Sequence, residues 1–294
     1  MKNYLYLIFL ICLIGVHSLV SCENARAKED EDKMPPPKKE VISVGRVDQI
    51  RSSVLNEDRK LNVYLPSDYD VDSLRTKKYP VIYLLDGSKE EDFVHIAGIL
   101  QFKTMLGLMP PTILVGIENV DRRRDYSFPT TIEEDKKKSP TSGKSAAFIQ
   151  FLQEEAIPYI EKIYRVSDES MLIGQSLGGL LATEILLKHP CTFSEYVIVS
   201  PSLWWDNQSL LAQLDSLENR LTCDSLAVYL TVGSEGDMMV PPAEKLAAHL
   251  ASMPANKLKC VYFPLPEEDH LTILHNAFYK ALSIKYPYQI EPVK

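Results

Sequence analysis

The hexapeptide Gly174-Gln175-Ser176-Leu177-Gly178-Gly179 carries the most narrowly specified chemistry in this sequence. A serine attacks a carbonyl well when it stands on a tight strand-to-helix turn that lifts its oxygen above a sheet. Glycines two residues to either side let the neighbouring backbone pass without a Cβ clash. Serine at its free pKa is a poor nucleophile, so it needs an adjacent base that is itself oriented by a carboxylate. For a nucleophile on such a turn the partners follow in the order Ser, acid, His. Of the six histidines, His17 lies in the N-terminal apolar stretch, His95, His249 and His275 fall within helical patterns, and His189 closes the helix after Ser176. His270, in the polar loop Pro266-Glu267-Glu268-Asp269-His270, is therefore the expected general base. The acid is expected in Gly233-Ser234-Glu235-Gly236-Asp237, where Glu235 is the first choice and Asp237 the second. Asp and Gly also suit a plain turn, which either carboxylate would serve as well. Two backbone donors must face the developing oxyanion. The N–H of Leu177 is one candidate, and that of Ser88 in Asp86-Gly87-Ser88-Lys89 the other.

Those residues need a scaffold, and the hydrophobic pattern supplies one. Val44–Val54 and Lys60–Leu65 alternate as an antiparallel pair joined through Asn56-Glu57-Asp58. Short continuous apolar runs follow at 81–85, 112–116, 170–173, 196–200, 226–232 and 259–263, which suit strands buried on both faces. Between them, residues 92–106, 145–164, 177–189, 209–218, 242–253 and 271–284 show helical periodicity. Alternating strand and helix predict a mostly parallel sheet covered on both faces, with function at the carboxyl ends of the strands.

The chain has 294 residues and a formal net charge of −8, which argues against a nucleic-acid partner because phosphate binding wants a basic face. The histidines never fall into a Cys/His cluster at zinc-ligand spacing, and the expected chemistry calls for no metal or cofactor. After Lys2, the apolar stretch Tyr4–Val20 has the length of a signal-peptide core and ends in Leu19-Val20-Ser21-Cys22, which looks like a bacterial lipobox. Residues 1–21 are thus expected to be a lipoprotein signal and Cys22 the lipidated residue. The charged, proline-bearing stretch to residue 40 reads as a flexible tether, and residues 41–294 as one domain. This places the protein outside the cytoplasm, held to a bacterial membrane through lipid alone. Cys191, Cys223 and Cys260 remain in the domain, an odd number beside apolar residues, and are expected as buried free thiols.

With these residues placed, the chain resembles the Putative esterase family, the group of α/β-hydrolases that includes esterase D, enterochelin esterase and feruloyl esterase. The resemblance covers about residues 41–284. It is carried by Tyr83–Gly87, the stretch Asn119–Thr130, Gly174–Gly179, and Ser200-Pro201-Ser202-Leu203-Trp204-Trp205-Asp206. It implies the α/β-hydrolase fold and a serine esterase, closest to the branch of siderophore-ester hydrolases. Some members of that branch work with a Ser–His pair alone, so an orienting acid remains open at this point. The expected substrate is a small-molecule or glycan-linked ester, either a siderophore ester or an acyl or feruloyl group on a polysaccharide. Among Arg122, Arg123 and Arg124, Arg124 is the candidate to grip an anionic or catechol-bearing substrate, although a solvated loop balanced by Glu133-Glu134-Asp135 would look the same. Trp205, in the pair Trp204-Trp205, is the candidate aromatic wall, although tryptophan is as often core. A different class remains conceivable on the same scaffold: a lipid-anchored protein that binds a siderophore or glycan without cleaving it.

Overall fold

The structure, a computed structural model, describes residues 39–223 and 225–288. The signal segment, Cys22 and nearly all of the tether lie outside the described residues. From Val44 onward the chain forms one unit.

β1 (Arg46–Ser52) and β2 (Glu57–Tyr64) form the antiparallel hairpin. Its turn places Asn56 at φ 53°, a left-handed conformation that Asn tolerates because its short side chain bonds locally. β3 (Tyr79–Leu84), β4 (Ile113–Ile117), β5 (Val166–Gln175), β6 (Glu195–Val199), β7 (Leu226–Thr231) and β8 (Leu258–Tyr262) follow. The sheet order is β1-β2-β4-β3-β5-β6-β7-β8, with β3 to β8 mutually parallel and β2 alone reversed, antiparallel to both β1 and β4. This is the mostly parallel sheet that the alternation predicts, in the α/β-hydrolase arrangement that the family resemblance implies.

Side chains alternate across the sheet with period two. Tyr83, Leu172 and Tyr196 enter a core with α3 (Ser145–Phe151), α4 (Ile157–Ile163) and α5 (Leu177–Lys188). A π turn at Leu152–Ala156 joins α3 to α4. Ile82, Leu84, Ile173 and Val197 enter the opposite core under α1 (Phe93–Met105) and α7 (Ile273–Lys285). Two further elements matter for the site: the short α2 (Arg122–Tyr126), and α6 (Val240–Ser252) following β7. Among the described residues no helix is long and apolar enough to cross a membrane.

Residues 209–218 depart from the expected helix. They form a 3-10 turn at Ser209–Ser216 and a short helix at Leu217–Arg220, after Asp206, Asn207 and Gln208 run left-handed at φ 48°, 51° and 63°. The cause is Asp206, whose carboxylate accepts hydrogen bonds from the Thr130, Thr131 and Ser209 hydroxyls and the Thr131 N–H. Those bonds favour a local bend over a helix start.

The thiol expectation is corrected for two of three cysteines. Cys191 and Cys223 form a disulfide, with Cα atoms 5.6 Å apart. Cys191 precedes β6 and Cys223 precedes β7, and because β6 and β7 are neighbours in parallel, their entry loops meet at one edge of the sheet. A sequence separation of 32 gives no sign of this. Cys260 is free and half-buried, and burial pushes its thiol up to about 11.

Candidate active site

The carboxyl ends of β5, β6, β7 and β8 converge on one cleft. Ser176 follows β5 at φ 59°, ψ −118°, outside the ordinary wells for an L-residue. Its neighbours must be glycine. A Cβ on Gly174 would stand 2.3 Å from the Gly178 carbonyl oxygen, and one on Gly179 2.9 Å from Pro201 Cα. Strain of this kind costs about 1–3 kcal/mol and persists only where surrounding structure imposes it.

Three sequence-predicted residues meet here. Ser176 Oγ lies 2.9 Å from His270 Nε2, and His270 Nδ1 lies 2.5 Å from Glu235 Oε2. With Nδ1–H donating to a carboxylate, Nε2 keeps its lone pair facing the serine hydroxyl. The Glu235 side chain is 4% exposed, and its other oxygen, Oε1, accepts from the Ser200 hydroxyl and from the Gly233 N–H at 3.1 Å. The His270 loop is tied down too: Gln175 Nε2 donates to the His270 carbonyl at 2.6 Å, and Ser234 N–H to the Glu268 carbonyl at 2.8 Å. Asp237, the second candidate acid, is exposed and makes no contact with His270.

Leu177 is the first residue of α5, where a backbone N–H has no intrahelical acceptor and stays available. Ser88 is buried in the loop after β3, its carbonyl accepting from the Glu91 and Phe93 N–H groups, and it does not line the cleft. That loop is fixed from several sides. A Cβ on Gly87 would fall 2.3 Å from Gly116 Cα, and Asn62 Nδ2 donates to the Gly87 carbonyl at 2.8 Å. Asp86, at φ 56°, accepts from Asn119 Nδ2 at 2.6 Å and from Arg122 at 2.7 and 2.8 Å. Arg122 also reaches the Gln175 carbonyl at 3.3 Å, so one guanidinium bridges the loop after β3 and the turn that carries Ser176.

The arginine triplet thus serves architecture. Arg124 is bound to Glu57 and Asp125, whose hydrogen bonds raise its pKa further, and it does not line the cleft. Arg123 donates to the Lys138 carbonyl. Beneath them, Arg59 is fully buried, donating to Asp125 at 2.8 Å and stacking near Phe148 and Phe151. The tryptophans also divide differently from expectation. Trp205 is 2% exposed and donates from Nε1 to the Phe128 carbonyl, a core residue, whereas its neighbour Trp204 lines the cleft. The cleft is open, about 460 Å³, with Trp204, Met239 and Leu271 as its apolar walls. Ser200, Ser202 and Trp204 were not singled out individually by sequence reasoning. Their signal was the stretch Ser200–Asp206, which is distinctive as a string and silent about roles.

Asp92 immediately precedes α1 beside this loop. Burial, then the charges of Asp86 and Glu91, raise its carboxyl to about 7, against the opposing pull of Arg122. The folded chain therefore holds this proton to higher pH than the unfolded chain. Stability falls as pH rises from the ordinary value of 3.8 to about 7. Asp92→Asn should lessen that fall, giving a Tm above wild type at about pH 8 and close to it at about pH 4. Parallel melting curves at the two pH values check this, and equal Tm at both would remove the assignment.

Comparison with known proteins adds to the geometry. Residues 52–261 match the family described as "Putative esterase". The ferri-bacillibactin esterase BesA of Bacillus subtilis is 28% identical over 218 residues, covering 67% of this chain and 75% of BesA. The crystal structure of the BES protein from Bacillus cereus superposes with a TM-score of 0.73 at 26% identity, covering 88% of this chain and all of that one. An IroE-like serine hydrolase from Shewanella oneidensis gives 0.73 at 27% identity, covering 84% of this chain and 82% of its own.

Proposed function

Because the chain belongs to the Putative esterase family and is a carboxylic ester hydrolase, we propose that it cleaves its substrate through an acyl-enzyme on Ser176. Ser176 Oγ attacks the carbonyl as His270 Nε2 takes its proton. The imidazolium returns that proton to the departing alcohol, and water then repeats the sequence on the acyl-enzyme. Glu235 holds the Nδ1–H tautomer and stabilises the imidazolium, while the N–H of Leu177, free at the start of α5, donates to the oxyanion. The observation that carries this reading is the continuous path Ser176–His270–Glu235 at 2.9 and 2.5 Å. A protein that only bound its ligand would have no need to keep all three groups in register.

The substrate we propose is an ester met outside the cytoplasm, in first place a siderophore ester. The ferri-bacillibactin esterase among its relatives supports this class. With the three arginines committed to carboxylates and a backbone carbonyl, recognition falls to the apolar walls, and Trp204 offers a planar group a face to stack on. Wild-type kcat/KM on enterobactin, methyl ferulate and acetylated xylan is expected to favour the two aromatic substrates. A simple acetyl ester turning over faster than both would remove the aromatic wall and leave the esterase standing.

We also propose export and lipidation at Cys22. The apolar stretch Tyr4–Val20 directly before Cys22 supports this, as does the Cys191–Cys223 disulfide, a bond that persists in oxidising compartments. In protein taken from its own cells, an alkyne-tagged fatty acid should label the wild type and not Cys22→Ala. In the same sample Cys191 and Cys223 should resist maleimide until reduced. Equal fatty-acid labelling of both proteins would contradict lipidation, and free Cys191 and Cys223 would contradict export.

A further inference from the structure

The segment leaving β6 returns to the nucleophile. Ser202 N–H donates to the Ser176 carbonyl at 2.9 Å, and Pro201 packs against Gly179 so closely that a Cβ there would meet it. This holds the Ser202 side chain, 2% exposed, with Oγ 3.3 Å from Ser176 Oγ. The proton inventory fixes the direction of that contact. Ser176 has one hydroxyl proton, and His270 Nε2, with its lone pair free, receives it. Ser202 is therefore the donor, and Ser176 Oγ the acceptor, between the two hydroxyls.

We infer that Ser202 is a further catalytic residue, a donor to the Ser176 oxygen whose main effect falls on deacylation. The inference rests on the acyl-enzyme reading above. In the acyl-enzyme, Ser176 Oγ is an ester oxygen, a poor acceptor, and the bond from Ser202 is weak. Water adds to the acyl carbon, its proton passing to His270 Nε2. On collapse of the tetrahedral intermediate the C–Oγ bond breaks and Oγ takes the electron pair. His270 then gives Oγ its proton. As negative charge builds on Oγ, the Ser202 hydrogen bond strengthens, and Ser202 keeps its own proton throughout. Interactions stronger in the transition state than in the ground state are those that accelerate a step. In acylation the starting Oγ is already a hydroxyl that accepts this bond well, so less is gained there.

Pre-steady-state release of 4-nitrophenol from 4-nitrophenyl acetate separates the two steps. Ser202→Ala should lower the steady-state rate about tenfold, the effect of one hydrogen bond to a developing charge, and slow the burst by no more than about twofold. Its melting temperature should stay near wild type. Ser202→Cys, which keeps the volume but is a weak donor, should show the same split and covers the case in which alanine unfolds the turn. Equal slowing of both phases, a change in KM alone, or wild-type kinetics in both variants would overturn the inference. Wild-type protein that hydrolyses the ester yet is neither labelled at Ser176 nor inactivated by a fluorophosphonate would instead remove the acyl-enzyme reading.

Discussion

Ser176→Ala should lower kcat/KM on a carboxylic ester by about 10⁵- to 10⁶-fold, the scale seen when the nucleophile of a serine triad is removed. The reason lies in how many groups depend on that oxygen. Among the described residues it is the hydroxyl bonded to His270 Nε2, and the Leu177 N–H at the start of α5 acts only on a tetrahedral centre that it creates. Without it, the residual rate reflects binding and the oxyanion donors. A second readout comes from the backbone. Because Ser176 is held at φ 59°, a glycine there removes Cβ strain. Ser176→Gly should therefore be inactive and at least as stable as wild type by melting temperature. A stable, inactive Gly variant would show that the turn is strained for the sake of its hydroxyl. Activity within tenfold of wild type in either variant would contradict the role assigned to Ser176.

Glu235→Gln should cost about 10⁴-fold in kcat, while Asp237→Asn should leave it unchanged. Geometry dictates the first effect. The site around Oε1 contains two donors, the Ser200 hydroxyl and the Gly233 N–H, so the amide oxygen of glutamine must take that position. Its NH2 then faces His270 Nδ1, which is forced to accept. The imidazole proton moves to Nε2, where it blocks removal of the Ser176 proton. Asp237 is exposed and has no such contact. The comparison is made on kcat for a small activated ester with both variants checked for native melting. If Glu235→Gln stayed above a tenth of wild type, a Ser–His pair would be the better description.

The sheet and its helices were legible because buried parallel strands leave continuous apolar runs, and those ended within a few residues of where hydrogen bonding ends them. The turn at Ser176 was legible for a stronger reason: crowding at 2.3 Å admits only glycine at position 174. His270 could be found by elimination because helical periodicity accounts for other histidines. The choice between Glu235 and Asp237 was open in the sequence, since it depends on how the loops after β7 and β8 are tied together through Ser234 and Glu268. The exchange of Trp204 for Trp205 has the same origin. Adjacent residues point in different directions, and only the path of the left-handed bend after them decides which meets the cleft. The arginine triplet misled because its partners, Glu57 and Asp86, are distant in sequence and belong to other elements. The disulfide was hidden likewise, joining two loops that only the strand order brings together.

Mass spectrometry of protein quenched in acid during turnover of a slow ester tests the central claim most directly. The account predicts an acyl increment on the peptide containing Ser176, present in the wild type, absent in Ser176→Ala, and accumulating further in Ser202→Ala. An adduct on any residue other than Ser176, or ester consumption undiminished in Ser176→Ala, would contradict it.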